Sequence, residues 1–201
     1  MGQYYRGAIL RKDYKDSKEN PVLFALCPYD VKNNGAKLLE HSYIGNHYVG
    51  AYMRELSDTD GKYFNYPFVW AGDYADEITL VDNYTEEKKE VSVYNESTDI
   101  EDDFKEYINE NGGEFGKKYK YIVNFTKNEY VVVPSLNLDV WDMHPLSLLT
   151  AFGNGRGGGD YYEKEGLEDI GRWAFDNIGV TNDEKWLEGK TELTTNFKSD
   201  F

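Results

Sequence analysis

Leu148-Leu149-Thr150-Ala151-Phe152-Gly153-Asn154-Gly155-Arg156-Gly157-Gly158-Gly159-Asp160-Tyr161 is the stretch on which the reading of this chain turns. Five glycines fill the seven positions from Gly153 to Gly159, with one arginine among them and Asp160 closing the run. A di-leucine pair followed by Gly-Asn also occurs earlier, as Leu38-Leu39 and Gly45-Asn46. Further words pair on either side of these. Tyr5, Ile9, Lys12, Asp13 and Tyr14 match Tyr121, Phe125, Asn128, Glu129 and Tyr130 at a constant offset of 116. Trp70-Ala71-Gly72-Asp73 matches Trp173-Ala174-Phe175-Asp176 at an offset of 103. Each half therefore reads hairpin, di-leucine helix, Gly-Asn loop and Trp-Ala-x-Asp strand, in that order. The shrinking offset implies loop deletions in the second half. The expected architecture is α+β: two pseudo-repeated halves, each a β-hairpin plus a short helix plus a strand, packed as one compact unit. The halves span residues 1–97 and 114–201, bridged by a helix at 98–113, within one structural domain. Halves related by a pseudo-twofold axis bring equivalent loops together, and the joint cleft is the natural ligand site.

Local patterns fill in this outline. Tyr4 to Tyr14 reads as a strand, a turn at Arg11-Lys12-Asp13 and a return strand. Val22 to Leu26 reads as strand or loop. Ala36 to His41 is a short helix, and Asn46 N-caps a second one with Val49, Met53 and Leu56 on one face. Phe68 to Glu77 is an apolar strand running into a Gly-Asp corner. Thr79 to Tyr94 holds strands around a turn at Glu86 to Lys89. Thr98-Asp99-Ile100-Glu101 has the form of a capping box opening an amphipathic helix that Gly112-Gly113 closes. Tyr119 to Val133 is a hairpin turning at Lys127-Asn128. His144-Pro145 starts a Leu-rich helix. Ile170 to Ile178 is apolar enough for a strand, though Leu167, Ile170 and Ala174 also fit a helical face, and Lys185 to Phe201 is weakly patterned.

At 201 residues, 40% apolar and 29% charged, the chain has the make-up of a globular protein. Its 18 tyrosines suit half-buried sheet faces and binding surfaces. The net charge of −15 repels nucleic acid, so direct nucleic-acid binding is disfavoured. The same charge suits a basic protein partner, including one that itself binds nucleic acid. Cys27 is the one cysteine, which leaves no intrachain disulfide and points to a reducing cytoplasm. No run reaches transmembrane length, so no membrane partner is expected. The first residues lack a signal-peptide core, and Arg6 stands where a myristoylation motif needs Ser or Thr.

The chain resembles an uncharacterised family of bacterial and phage proteins. Members begin Met-Gly-x-Tyr-Tyr and carry Lys-Leu-x-Glu-His-Ser-x-x-Gly-Asn, Trp-Ala-Gly-Asp-Tyr-Ala-Asp and Gly-Asn-Gly-Arg-Gly-Gly-Gly-Asp-Tyr. Here those words are Met1 to Tyr5, Lys37 to Asn46, Trp70 to Asp76 and Gly153 to Tyr161. The resemblance implies that these segments are functional or fold-defining. It carries no activity with it.

Gly153-x-Gly155-x-x-Gly158 fits the dinucleotide fingerprint in form only, because a Leu-rich helix precedes it and no βαβ unit surrounds it. Consecutive glycines do let backbone N–H groups converge on an anion, with Arg156 as a bidentate donor. The alternative is a tight structural loop whose glycines permit positive φ, with Asp160 capping the next segment. His41, in Glu40-His41-Ser42, and Asp73 are the acid–base candidates, a carboxylate fixing the imidazole tautomer. The Gly-Asp turn equally suits Asp73 and Asp76 as turn residues that bond their own backbone. No zinc-site spacing, Walker A motif or nucleophile elbow occurs, and the sequence assigns no metal or cofactor.

Two functions follow. In the first, Asn154, Arg156, Gly157, Gly158 and Asp160 bind a small phosphorylated or nucleotide-like ligand in a cleft shared with Trp70 and Asp76, and His41 and Asp73 act if it is turned over. In the second, the protein is a non-enzymatic acidic interaction protein, such as a phage inhibitor occupying a basic site on a host defence protein.

Overall fold

The computed structural model describes residues 3–16, 18–32, 34–153 and 169–194. Their elements, in chain order, are β1 Tyr5–Leu10, β2 Val22–Phe24, α1 Leu38–His41, α2 His47–Glu55, β3 Tyr66–Gly72, β4 Ile78–Val81, β5 Lys88–Val91, α3 Asp102–Lys118, β6 Tyr121–Asn124, β7 Glu129–Val132, α4 Pro145–Leu149, β8 Ala151–Phe152, β9 Asn177–Thr181 and β10 Thr191–Glu192. The class is α+β.

One sheet runs β10-β7-β6-β9-β3-β1-β2, and β4 and β5 form a separate hairpin. Outward from the contact between β3 and β9 the order is the same in both directions, β3-β1-β2 and β9-β6-β7, with antiparallel neighbours throughout. One edge of β3 is shared. Its start pairs with β9 through Tyr66 and Pro67, and its end pairs in parallel with β8, Trp70 opposite Ala151 and Ala71 opposite Phe152.

Alternation along the strands divides the core in two, because successive side chains leave a strand on opposite faces. Tyr5 and Ile9 of β1, Phe68 and Trp70 of β3, and Ile178 and Val180 of β9 face the helices. Ala8, Leu10, Val69 and Ala71 face the other way and meet Leu80 and Val91 of the β4–β5 hairpin. Between β1 and the segment after β2, two tyrosine hydroxyls replace a ladder. Gly7 N–H donates to Tyr48 Oη (3.2 Å) and Leu26 N–H to Tyr52 Oη (2.9 Å). In turn Tyr48 Oη donates to Leu26 O (2.9 Å) and Tyr52 Oη to Gly7 O (2.6 Å). The N–H and C=O of both Gly7 and Leu26 are thereby paired, as a dry core demands.

Asn46 caps α2 as expected, its Oδ1 accepting from Tyr48 N–H at 2.7 Å. Several expectations change. The Thr98 capping box does not form, since α3 starts at Asp102 and Thr98 Oγ1 accepts instead from Ala25 N–H (3.0 Å). Gly112-Gly113 does not end α3, which runs to Lys118. The glycines instead let two helices touch. A Cβ on Gly50 would lie 1.7 Å from Gly112 O, and one on Gly116 would lie 2.3 Å from Ile44 O. Ile170 to Asp176 is a run of turns, and β9 begins only at Asn177. The two Trp-Ala-x-Asp words thus differ in place: Trp70 lies within β3, Trp173 before β9. Of the other matched words, Tyr5 and Tyr121 open β1 and β6, and the leucine pairs lie in α1 and α4, but Asp13-Tyr14 lie in a turn where Glu129-Tyr130 lie in β7, and Gly45 precedes α2 where Gly153 follows β8. The return strand is β2, well beyond Tyr14, and the hairpin turn expected at Glu86 to Lys89 ends before β5 begins at Lys88.

Candidate functional site

β3 ends in the corner Gly72-Asp73-Tyr74-Ala75-Asp76. Ala75 N–H donates to Gly72 O at 3.1 Å, which closes the turn. Asp73 is used structurally. Its N–H donates to Tyr4 O (2.9 Å), and its Oδ1 accepts from Tyr4 N–H (3.0 Å). Asp76 is exposed on the same corner. Gly153 follows β8 with φ +85°, a conformation that favours glycine. A Cβ on it would lie 2.7 Å from Ala75 Cβ, so the glycine loop leaves the described residues in contact with the corner. Asn154, Arg156, Gly157, Gly158 and Asp160 lie outside the described residues.

A cleft of about 490 Å³ is lined by Tyr14, Lys15, Ile78, Thr79, Thr126, Ala174, Phe175 and Asp176. Phe175 holds φ +67°, a strained conformation for a bulky side chain. Its ring is packed from both sides. Phe152, next to Gly153, meets it edge-on at 4.8 Å between centroids, and Tyr14 stacks on it at 6.1 Å. Asp176 is 8% exposed, and its Oδ2 accepts from Asn124 Nδ2 and Lys127 Nζ, each at 2.8 Å. Burial, with the Asp176 charge beside it, pushes the Tyr14 phenol up to about 12. Tyr14 is therefore a neutral hydroxyl near pH 7, able to donate.

Two expected site residues lie away from this cleft. His41 is fully buried, with Nδ1–H donating to Gly35 O at 3.1 Å and the ring stacked on Trp70 at 5.6 Å. Burial lowers its pKa to about 3, so it stays neutral near pH 7. Among the described residues no hydrogen bond joins it to Asp73. Trp70 is also fully buried and cannot stack on a ligand, because β3 is covered on both faces. The signal for the residues actually at the cleft was weaker. Asp176 was visible only as the end of the second Trp-Ala-x-Asp word, and Tyr14 only as a hairpin position.

Elsewhere, a cleft of about 210 Å³ beside α2 and α3 is lined by Phe24, Arg54, Glu55, Lys62, Tyr63 and Phe104, among others. Glu55 there is 2% exposed and ion-paired with Arg54, and burial raises its pKa. Among the described residues no group of three or more His, Cys, Asp or Glu side chains is placed to hold a metal ion. No described helix is long and apolar enough to cross a membrane. Comparison of the chain with family models, with curated proteins and with solved structures returns no match.

Proposed function

We propose that the protein binds a small phosphorylated or nucleotide-like ligand in the cleft beside the glycine-loop root. One observation carries this reading: the root of the loop, the β3 corner and the second Trp-Ala-x-Asp word meet at one place, through Gly153 on Ala75 and Phe152 on Phe175. The Tyr14 hydroxyl and the Thr79 and Thr126 side chains line the cleft as hydrogen-bonding groups, and Phe175 supplies an apolar wall. Lys15 at the rim supplies positive charge, and Arg156, three residues beyond Gly153, would add a bidentate anion donor. Asp176, held by Lys127 and Asn124, accepts from ligand hydroxyls.

We also read the chain as an internal duplication, on the mirrored strand order and the placing of Tyr5 with Tyr121 and of the two di-leucine words. The resemblance to the bacterial and phage family, and a reducing cytoplasm inferred from the lone cysteine, belong to the same proposal.

The test is thermal unfolding with inorganic phosphate, mononucleotides, cyclic dinucleotides and NAD as probes, on the wild type and on Tyr14→Phe and Arg156→Ala. A probe at about 100 times its Kd adds about 2.7 kcal/mol to the native state. Stabilisation by one probe is expected, lost in both variants while their unliganded unfolding stays cooperative. Stabilisation by no probe, or stabilisation that survives in both variants, sinks the assignment.

A further inference from the structure

Trp141 is 72% exposed, and Val140 beside it is 37% exposed. An exposed tryptophan with an apolar neighbour beside a cleft has the make-up of a contact anchor. Their backbone is fastened rather than loose. Ile44 N–H donates to Asp142 O and Gly45 N–H to Val140 O, each at 2.9 Å, and His144 N–H donates to Ser42 O at 2.8 Å. Asp139 and Asp142 close the turn from within, through Val140 N–H to Asp139 Oδ1 and Asp139 N–H to Asp142 Oδ2, both 2.6 Å. The Trp141 ring leans on Tyr43 with centroids 5.1 Å apart. Beside them lies a cleft of about 270 Å³, lined by Tyr43, Gly45, Lys117, Val140 and Trp141.

Lys117 joins this patch to a second feature. At about 100° per residue, Asp103, Glu106, Glu110, Glu114 and Lys117 fall within an arc of roughly 80° on α3. All five are exposed. The opposite side of α3, through Ile108, Gly112 and Phe115, is buried. Successive carboxylates at Glu106, Glu110 and Glu114 rise by about 6 Å each. A row of four carboxylates thus leads along α3 into an aromatic cleft.

We propose that this continuous surface docks a lysine- or arginine-rich segment of a partner protein, with one apolar side chain of that segment seated in the Trp141 cleft. Charge complementarity selects the partner: the row repels an acidic segment, including a second copy of this chain, and the aromatic end supplies the buried anchor that surface charge alone lacks. This docking does not depend on the ligand cleft, which is built from other residues.

The probe is a labelled helical peptide of roughly 18 residues, matched to the length of α3, with lysine at every fourth position and leucine in its last turn. Binding is read by fluorescence anisotropy at about 50 and about 200 mM salt. The wild type is expected to bind it. Trp141→Ala should weaken binding about tenfold or more with an unchanged salt dependence. Glu106→Gln with Glu110→Gln and Glu114→Gln should weaken it and flatten the salt dependence. Equal binding of a leucine-free peptide, equal binding by Trp141→Ala, or no binding to the wild type at the lower salt overturns the proposal. Sedimentation that shows a dimer lost in Trp141→Ala overturns it in favour of a second copy.

Discussion

The two deeply buried histidines set a pH limit on the fold. His41 and His144 are fully buried, and burial pushes each pKa down to about 3. An unfolded histidine titrates near 6.5. Below that pH the unfolded chain takes up protons that the folded chain refuses, so stability is full above about 6.5 and is lost as pH falls toward about 3. By about pH 5 the two sites together cost about 4 kcal/mol, at 1.36 kcal/mol per unit for each. Urea unfolding should therefore show a clear drop between about pH 7.5 and about pH 5. A flat profile would mean that neither imidazole is held neutral in the native state. Sequence could not separate these histidines from catalytic ones. Glu40-His41-Ser42 has the composition of an acid–base site, and only the covering of α1 by β3 and α2 makes it core.

At the scale of elements, the α2–α3 crossing shows how tertiary contact overrides local signals. Gly112 and Gly113 read as a helix stop, yet α3 continues through them because their missing side chains admit the backbone of α2. Replacing a helical glycine by alanine ordinarily adds about 0.5–1 kcal/mol of stability. Here Gly50→Ala should instead cost about 1–3 kcal/mol or more, the usual range for overpacking, because its Cβ would meet Gly112 O. Glu110→Ala, on the exposed side of α3, should stay within about 0.5 kcal/mol of the wild type. Denaturant midpoints of the two variants decide it, and a neutral Gly50→Ala would mean that the helices are further apart than described. Thr98 makes the same point. Its hydroxyl is a good cap in sequence, but Ala25 lies across from it and takes it first.

For the whole molecule the dominant property is the net charge of −15. Several carboxylates are held by cations, among them Asp176 by Lys127 and Asp60 by Lys118, which helps hold the Asp60 pKa down near 2. The surplus repels itself across the surface. Raising salt from about 10 to about 150 mM shortens the screening length to about 8 Å and should raise the unfolding temperature by a few degrees. A fall in that temperature would mean that the paired carboxylates outweigh the surplus. Much of the fold was legible: the α+β class, the Asn46 cap, the β6–β7 hairpin and the apolar strand ending at Gly72. These are local properties, set by periodicity and by which residue can cap or turn. Sequence alone also determined the charge, the single cysteine and the glycine run. The tertiary structure alone decided that His41 and Trp70 are core, that Phe175 is forced to positive φ, and that Tyr14 and Asp176 meet across a cleft. Those outcomes depend on which surfaces the sheet brings together, and contacts between residues more than a hundred positions apart leave no pattern in a short window of chain.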